Sequence, residues 1–152
     1  MNDEEATQLR DDNAQARAFN EQVIAEFRAN KGIVGGHFKA ARLLLLHHVG
    51  RRTGKQYVLP ALYLRDGDSF LMVGSNGGAE KEPAWVANLE AMSEVTVEVG
   101  EETLTVRPSC FRERTPERER LYARLAEYWP DLREYEKNAD RTFPVIRLDP
   151  VR

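Results

Sequence analysis

Arg51, Arg52 and Lys55 crowd into a short turn that starts at Gly50 and bends at Gly54. Three fixed cations in a glycine-bounded turn can hold a phosphate or carboxylate. Guanidinium forks match the paired oxygens of such a group, and a tight turn bares backbone N–H groups to it. An ordinary basic surface hairpin has the same composition, and local chemistry leaves both readings open. A second stretch, Gly74-Ser75-Asn76-Gly77-Gly78, suits sharp turning and close approach of backbone to a ligand. Trp85 with Asn88 on neighbouring helical turns, and the aromatic group Tyr128, Trp129 and Tyr135, are two more. Each is ordinary alone. Together they describe a flat apolar wall, a polar rim and an anion seat, as a phosphate-bearing aromatic cofactor requires.

The more familiar chemistries find little support. Gly50 and Gly54 are separated by three residues, not the four of a P-loop, and Gln56 stands where its magnesium-binding Ser or Thr belongs. Gly32-Ile33-Val34-Gly35-Gly36 has the wrong spacing and context for a dinucleotide fingerprint. His47 and His48 are adjacent, so on a strand they face opposite ways and cannot chelate one metal; His37 is the only other histidine, and no metal is expected. No serine sits in a nucleophile elbow. The single cysteine, Cys110, lies in a strand-like context and reads as a small packing residue. The charged run from Arg112 through Arg120 reads as a solvated helix start.

These pieces need elements to position them. Phe19, Val23 and Phe27, with Ala16, fall at helical spacing, so an amphipathic helix is expected up to Arg28, ended by Asn30 and Gly32. Leu43–Leu46 is a buried strand leading into the cationic turn. Tyr57–Leu64 alternates as a strand, and Pro60, which cannot donate to a ladder, puts it at an edge or a bulge. Asp66-Gly67 signals a hairpin returning through Phe70–Val73. Pro83 opens a helix over Ala84–Ala91, followed by strands over Val95–Val99 and Thr103–Cys110. Thr115-Pro116 starts a helix to Tyr128, Trp129-Pro130 breaks it, a second piece runs to about Asn138, and a strand follows over Phe143–Leu148. Mainly β with helices (α+β), as a small barrel with helical cover, is the fold class expected.

With 152 residues, 41% hydrophobic and 31% charged, the chain suits one globular domain over residues 16–152 behind a mobile tail over 1–15. A net charge of −3 argues against nucleic acid as a partner. No targeting leader and no spanning helix are read, so a cytoplasmic protein is expected, with peripheral membrane contact left open.

The ordered series of motifs resembles the deazaflavin-dependent nitroreductase family, which uses coenzyme F-420 on a split β-barrel of FMN-binding type. The matching segments are Phe27-Arg28-Ala29-Asn30 with Gly35-Gly36, then Leu44–Leu46 leading to Gly50-Arg51-Arg52-Thr53-Gly54-Lys55, and Pro60-Ala61-Leu62-Tyr63. Next come Arg65-Asp66-Gly67, Ser75-Asn76-Gly77-Gly78, Pro83-Ala84-Trp85 with Asn88-Leu89, and Val95-Thr96-Val97. Tyr135 and Arg141-Thr142-Phe143-Pro144-Val145 complete the series, from about Phe19 to Pro150.

The resemblance implies an oxidoreductase passing a hydride from the reduced deazaflavin to an electron-poor small molecule: a quinone, activated enone or nitro compound. It implies that Arg51, Arg52, Thr53, Gly54 and Lys55 hold the cofactor phosphate and the start of its glutamyl tail. Ser75, Asn76, Gly77 and Gly78 would approach the cofactor, and Pro60, Pro83, Trp85 and Asn88 would shape its groove. Trp129, Leu132 and Tyr135 would line the acceptor pocket, with Tyr135 and Ser75 as the catalytic candidates. Where many relatives carry a Tyr or Thr pair before the basic turn, this chain has His47-His48. An FMN- or haem-binding split barrel and a deazaflavin carrier without turnover are the alternatives. A monomer is expected, with a dimer left open.

Overall fold

Four consecutive leucines need cover on both faces of a strand, and β1 (Leu43–Val49) has it. Leu44 and Leu46 point into the main core with Phe70, Val86, Leu89 and Val97. Leu43 and Leu45 point the other way, against Val23 and Phe27 of α1 (residues 17–29) and Val34. The computed structural model describes residues 17–35 and 42–151. The tail expected over residues 1–15, together with Ala16, Gly36 and His37, lies outside them.

The remaining elements are β2 (Gln56–Leu62), β3 (Leu64–Asp66), β4 (Ser69–Val73), α2 (Ala84–Glu90), β5 (Val95–Val99), β6 (Glu102–Phe111), α3 (Pro116–Tyr128), α4 (Leu132–Ala139) and β7 (Val145–Pro150). The strands form one antiparallel sheet in the order β2-β1-β5-β6-β7-β4-β3. β2 and β3 stand at opposite ends of that order, yet only Tyr63 separates them in the chain. Because neighbouring Cα atoms are about 3.8 Å apart, the two ends of the sheet must lie side by side. The sheet therefore curls into a barrel, split at the seam between β2 and β3. The single strand expected over Tyr57–Leu64 is two strands, one on each side of that seam, and Tyr63 turns inward between them to meet Phe70 edge-on.

Prolines mark the places where a ladder has one open side. Pro60 lies opposite Leu45 in the edge strand β2, as its missing N–H requires. β6 pairs with β5 up to Val106 and with β7 from Val106 onward, and Pro108 falls in the second half, beyond the reach of β5. This handover bends the sheet round the core.

α3 and α4 close one flank, where Leu121, Leu125 and Leu132 bury against Leu71, Phe143 and Val145. Thr115 caps α3, its hydroxyl oxygen accepting from the Arg118 backbone N–H at 3.3 Å. Most of the charged run before and into this helix is exposed, as expected of a solvated helix start, and Arg118 is the exception. Arg118 is fully buried: it donates to Glu136 of α4 at 2.6 Å and to the Phe143 carbonyl at 2.7 Å, and lies over the Tyr122 ring. Arg112 reaches Glu82 at 2.6 Å and also pairs with Glu90, tying β6 to α2. Alternation of sign within one segment hid the fact that its partners lie far away in sequence.

Candidate active site

The face of β1 that carries Leu44 and Leu46 continues to His48, and the opposite face continues to His47. His47 leaves the core side and meets Glu98 at 2.7 Å, a carboxylate that also takes the Arg28 fork of α1 at 2.8 Å. Arg28, then His47, hold the Glu98 carboxyl below the usual range against its partial burial. His48 is buried, stacked on Tyr57 with ring centroids 5.2 Å apart, and burial pushes its pKa down.

Asn88 projects from α2 between His48 and the cationic turn. Its Oδ1 accepts from the Arg51 backbone N–H at 3.1 Å and from Arg51 Nη1 at 3.3 Å, and its amide nitrogen lies 3.1 Å from His48 Nδ1. The turn closes through Gly54 N–H to the Gly50 carbonyl and Gly50 N–H to the Lys55 carbonyl, both at 2.8 Å. A left-handed φ of +72° at Gly54 allows that geometry. Arg51, Arg52 and Thr53 line a cleft of about 750 Å³ with His48, Trp85 and Asn88. Gly54 and Lys55 stand outside its wall, with Lys55 lying over the Tyr57 ring.

A second cavity of about 550 Å³ adjoins this cleft. Pro60, Ser75 and Asn76 line it, facing Trp129, Leu132 and Tyr135 of the C-terminal helical segment. Leu59 and Trp85 border both cavities, so the two are compartments of one groove with a cationic end and an apolar end. The structure thus brings together Pro60, Ser75, Asn76, Trp85, Trp129, Leu132 and Tyr135 in one compartment, and Arg51, Arg52, Thr53 and Asn88 in the other. Pro83 lies just outside, capping α2 in extended backbone. Gly77 lies in the turn Asn76–Gly78; Gly78 is backed by Tyr135, the contact that sets the turn against α4.

The loop bearing Ser75 is held by a residue whose role the sequence did not disclose. Arg141 donates to the carbonyls of Gly74 at 3.1 Å, Ser75 at 2.9 Å, Ala79 at 3.0 Å and Lys81 at 3.3 Å. One planar guanidinium thus sets the path of the whole turn. Gly74 passes so close to Pro144 and Val86 that a Cβ would sit 2.8 Å from each, and its N–H donates to the Pro144 carbonyl at 2.9 Å. The motif Arg141-Thr142-Phe143-Pro144 was visible as a series of letters; its partners became visible only in the fold. Cys110 of β6, outside the lining of the groove, is held neutral, its pKa pushed up to about 12 by burial and by Glu90.

Comparison with known proteins places the chain as a whole. The family model for F420H(2)-dependent quinone reductases matches residues 19–150. The F420H(2)-dependent quinone reductase Rv1261c of Mycobacterium tuberculosis is 32% identical over 133 residues, covering 82% of this chain and 85% of the relative. A solved F420-H2 dependent reductase, FDR-A, superposes with a TM-score of 0.61 at 28% identity, covering 71% of this chain and 94% of that one. A solved domain-swapped dimer superposes with a TM-score of 0.66 at 26% identity, covering 85% of this chain and 95% of that one. The chain, matched from end to end of its barrel, belongs to the F420H(2)-dependent quinone reductase family.

Proposed function

We propose that this protein reduces a quinone with electrons drawn from reduced coenzyme F420. The observation that carries the reading is the two-compartment groove: guanidinium groups at one end, aromatic and aliphatic walls at the other, and Leu59 and Trp85 shared between them. Such a groove fits a ligand with an anionic tail and a flat ring. Arg51 and Arg52 would take the anionic part, with Thr53 beside them and Asn88 orienting Arg51. Trp85 and Pro60 would bound the ring, and the Ser75–Asn76 turn, stiffened by Arg141, would meet its polar edge.

When bound, the reduced deazaflavin supplies two electrons as a hydride, and quinone reduction then needs one proton. The chain's own contribution is placement and that proton. Trp129 and Leu132 give the acceptor an apolar wall that sheds water, and Tyr135 is the wall residue with a phenol able to donate to a quinone oxygen. Ser75 is the second hydroxyl on the lining. The unpaired Cys110 suits a reducing cytoplasm. Among the described residues, no helix is long and apolar enough to cross a membrane.

The test is anaerobic incubation of the purified protein with reduced coenzyme F420 and a panel of quinones, enones and nitro compounds. Oxidation of the cofactor with quinones, and its loss in Arg51→Ala, is expected. Binding without turnover on the whole panel would make the protein a carrier, and no binding would end the reading.

A further inference from the structure

The amide of Asn88 has only one orientation that its partners permit. The Arg51 backbone N–H and guanidinium can only donate, so the Asn88 atom they share at 3.1 and 3.3 Å is the carbonyl oxygen. The Asn88 NH₂ is therefore what faces His48 Nδ1 at 3.1 Å, and that nitrogen must accept. His48 is thus neutral with its proton on Nε2. A protonated His48 would set an N–H against the Asn88 NH₂, donor against donor.

We propose that His48 is a positioning residue for the anion-binding end of the groove, acting through Asn88 to fix Arg51, and that its protonation releases that grip. The inference rests on the reading of Arg51 as a cofactor contact. Its basis is the forced chain of donors and acceptors from β1 through α2 to the turn, enclosed by burial of both middle members: His48 and Asn88 are 8% and 4% exposed.

The groups around His48 act in opposing directions. Tyr57 of β2 stacks on it and carries Lys55 over its own ring. Arg51 and Arg52 of the turn share its cleft. These three cations, with burial, favour the neutral ring. Glu94, which shares a cavity with His48, Met92 and Thr96 before and within β5, favours the charged one. His47 also borders that cavity, with its own ring engaged by Glu98. With burial prevailing, His48 titrates below its ordinary value of 6.5, so the grip is intact at neutral pH and is lost on acidification.

The experiment is calorimetric titration of oxidised coenzyme F420 into the wild type and into His48→Leu, His48→Asn, Asn88→Ala and the double variant, from about pH 8 to about pH 5.5. Loss of the acceptor in His48→Leu should weaken binding about fivefold at the upper end. His48→Asn, which restores an acceptor atom but cannot titrate, should recover most of that loss and lack the wild type's decline on acidification. Both proteins meet the same titrations of the cofactor itself, so the difference between their profiles belongs to His48. Adding His48→Leu to Asn88→Ala should weaken binding no further, because the first acts through the second. A wild-type profile in His48→Asn, or wild-type affinity in His48→Leu, overturns the proposal. Arg51→Ala run alongside separates the two levels: undiminished affinity there removes the cofactor assignment itself, whereas weakened affinity there with indifferent His48 variants removes only the role of His48.

Discussion

Arg118 and Glu136 meet at 2.6 Å with both side chains withdrawn from solvent, which ties the start of α3 to the turn of α4 that carries Tyr135. The same Glu136 carboxylate accepts from the Phe143 backbone N–H at 2.8 Å, so three segments share one anion. Glu136→Ala takes the buried carboxylate from Arg118, which keeps only the half-buried Glu119 and the Phe143 carbonyl, and leaves the Phe143 amide without its acceptor. Denaturant unfolding should show a loss of about 3–5 kcal/mol, against a far smaller loss for an alanine at exposed Glu134.

Arg141→Lys keeps the charge but replaces a planar fork by a point cation, and one ammonium cannot reach four carbonyls. The Ser75 turn should loosen while the barrel core is untouched. Quinone-dependent oxidation of the reduced cofactor should fall about tenfold or more in kcat/KM, with a melting temperature only slightly lowered. Equal activity would mean that the turn does not need the clamp.

Gly74→Ala places a methyl group against Pro144 and Val86, whose positions are fixed by the core. Either the loop shifts or those side chains do. Thermal unfolding should report about 1–3 kcal/mol of destabilisation. The loss should be partly relieved by Val86→Ala, which opens space on one side.

Tyr135→Phe removes a phenol from the acceptor compartment without removing the ring that backs Gly78. If that phenol supplies the proton, turnover with a quinone should fall about a hundredfold with cofactor affinity retained. Unchanged turnover excludes the hydroxyl from the chemistry and leaves Tyr135 a wall residue.

Acid should weaken the protein through three carboxylates. Arg112 holds Glu82 and Glu90 below the ordinary carboxylate value of 4.5, and Arg28, with His47, does the same for Glu98. Their folded pKa values lie below the unfolded ones. The stability they add is therefore complete above about 4.5 and is lost as pH falls through the lowered values. Melting temperature followed from about pH 6 downward should decline in that window, and Arg112→Met should flatten the decline.

Much of this fold was legible in particular residues. Four leucines in a row announced a strand covered on both faces, Pro60 announced an edge, and Thr115-Pro116 announced the start of α3. Those signals are local. The seam at Tyr63 was not legible, because Pro60 is the one interruption that Tyr57–Leu64 shows and only the sheet order reveals that its two parts have different partners. Within the candidate site, Arg51 and the Ser75 turn stood out by composition. Arg141, His48 and Glu136 did not, because their importance lies in partners between 7 and 67 residues away. Charge and periodicity describe a residue's neighbourhood in the chain, and a hydrogen-bond partner across the barrel leaves no mark there.

The placement of β7 bears on how the protein is made. β7 lies between β6 and β4, and the hairpin of β3 and β4 joins the rest of the sheet through it alone. While the chain is still being synthesised, strands β1, β2, β5 and β6 can pair as soon as they emerge from the ribosome. The wall bearing Ser75 has no frame until the chain is out through Pro150, since Gly74 and Arg141 take their settings from the segment that leads into β7. The half of the groove with the cations can thus form early, and the half proposed to receive the quinone waits for β7.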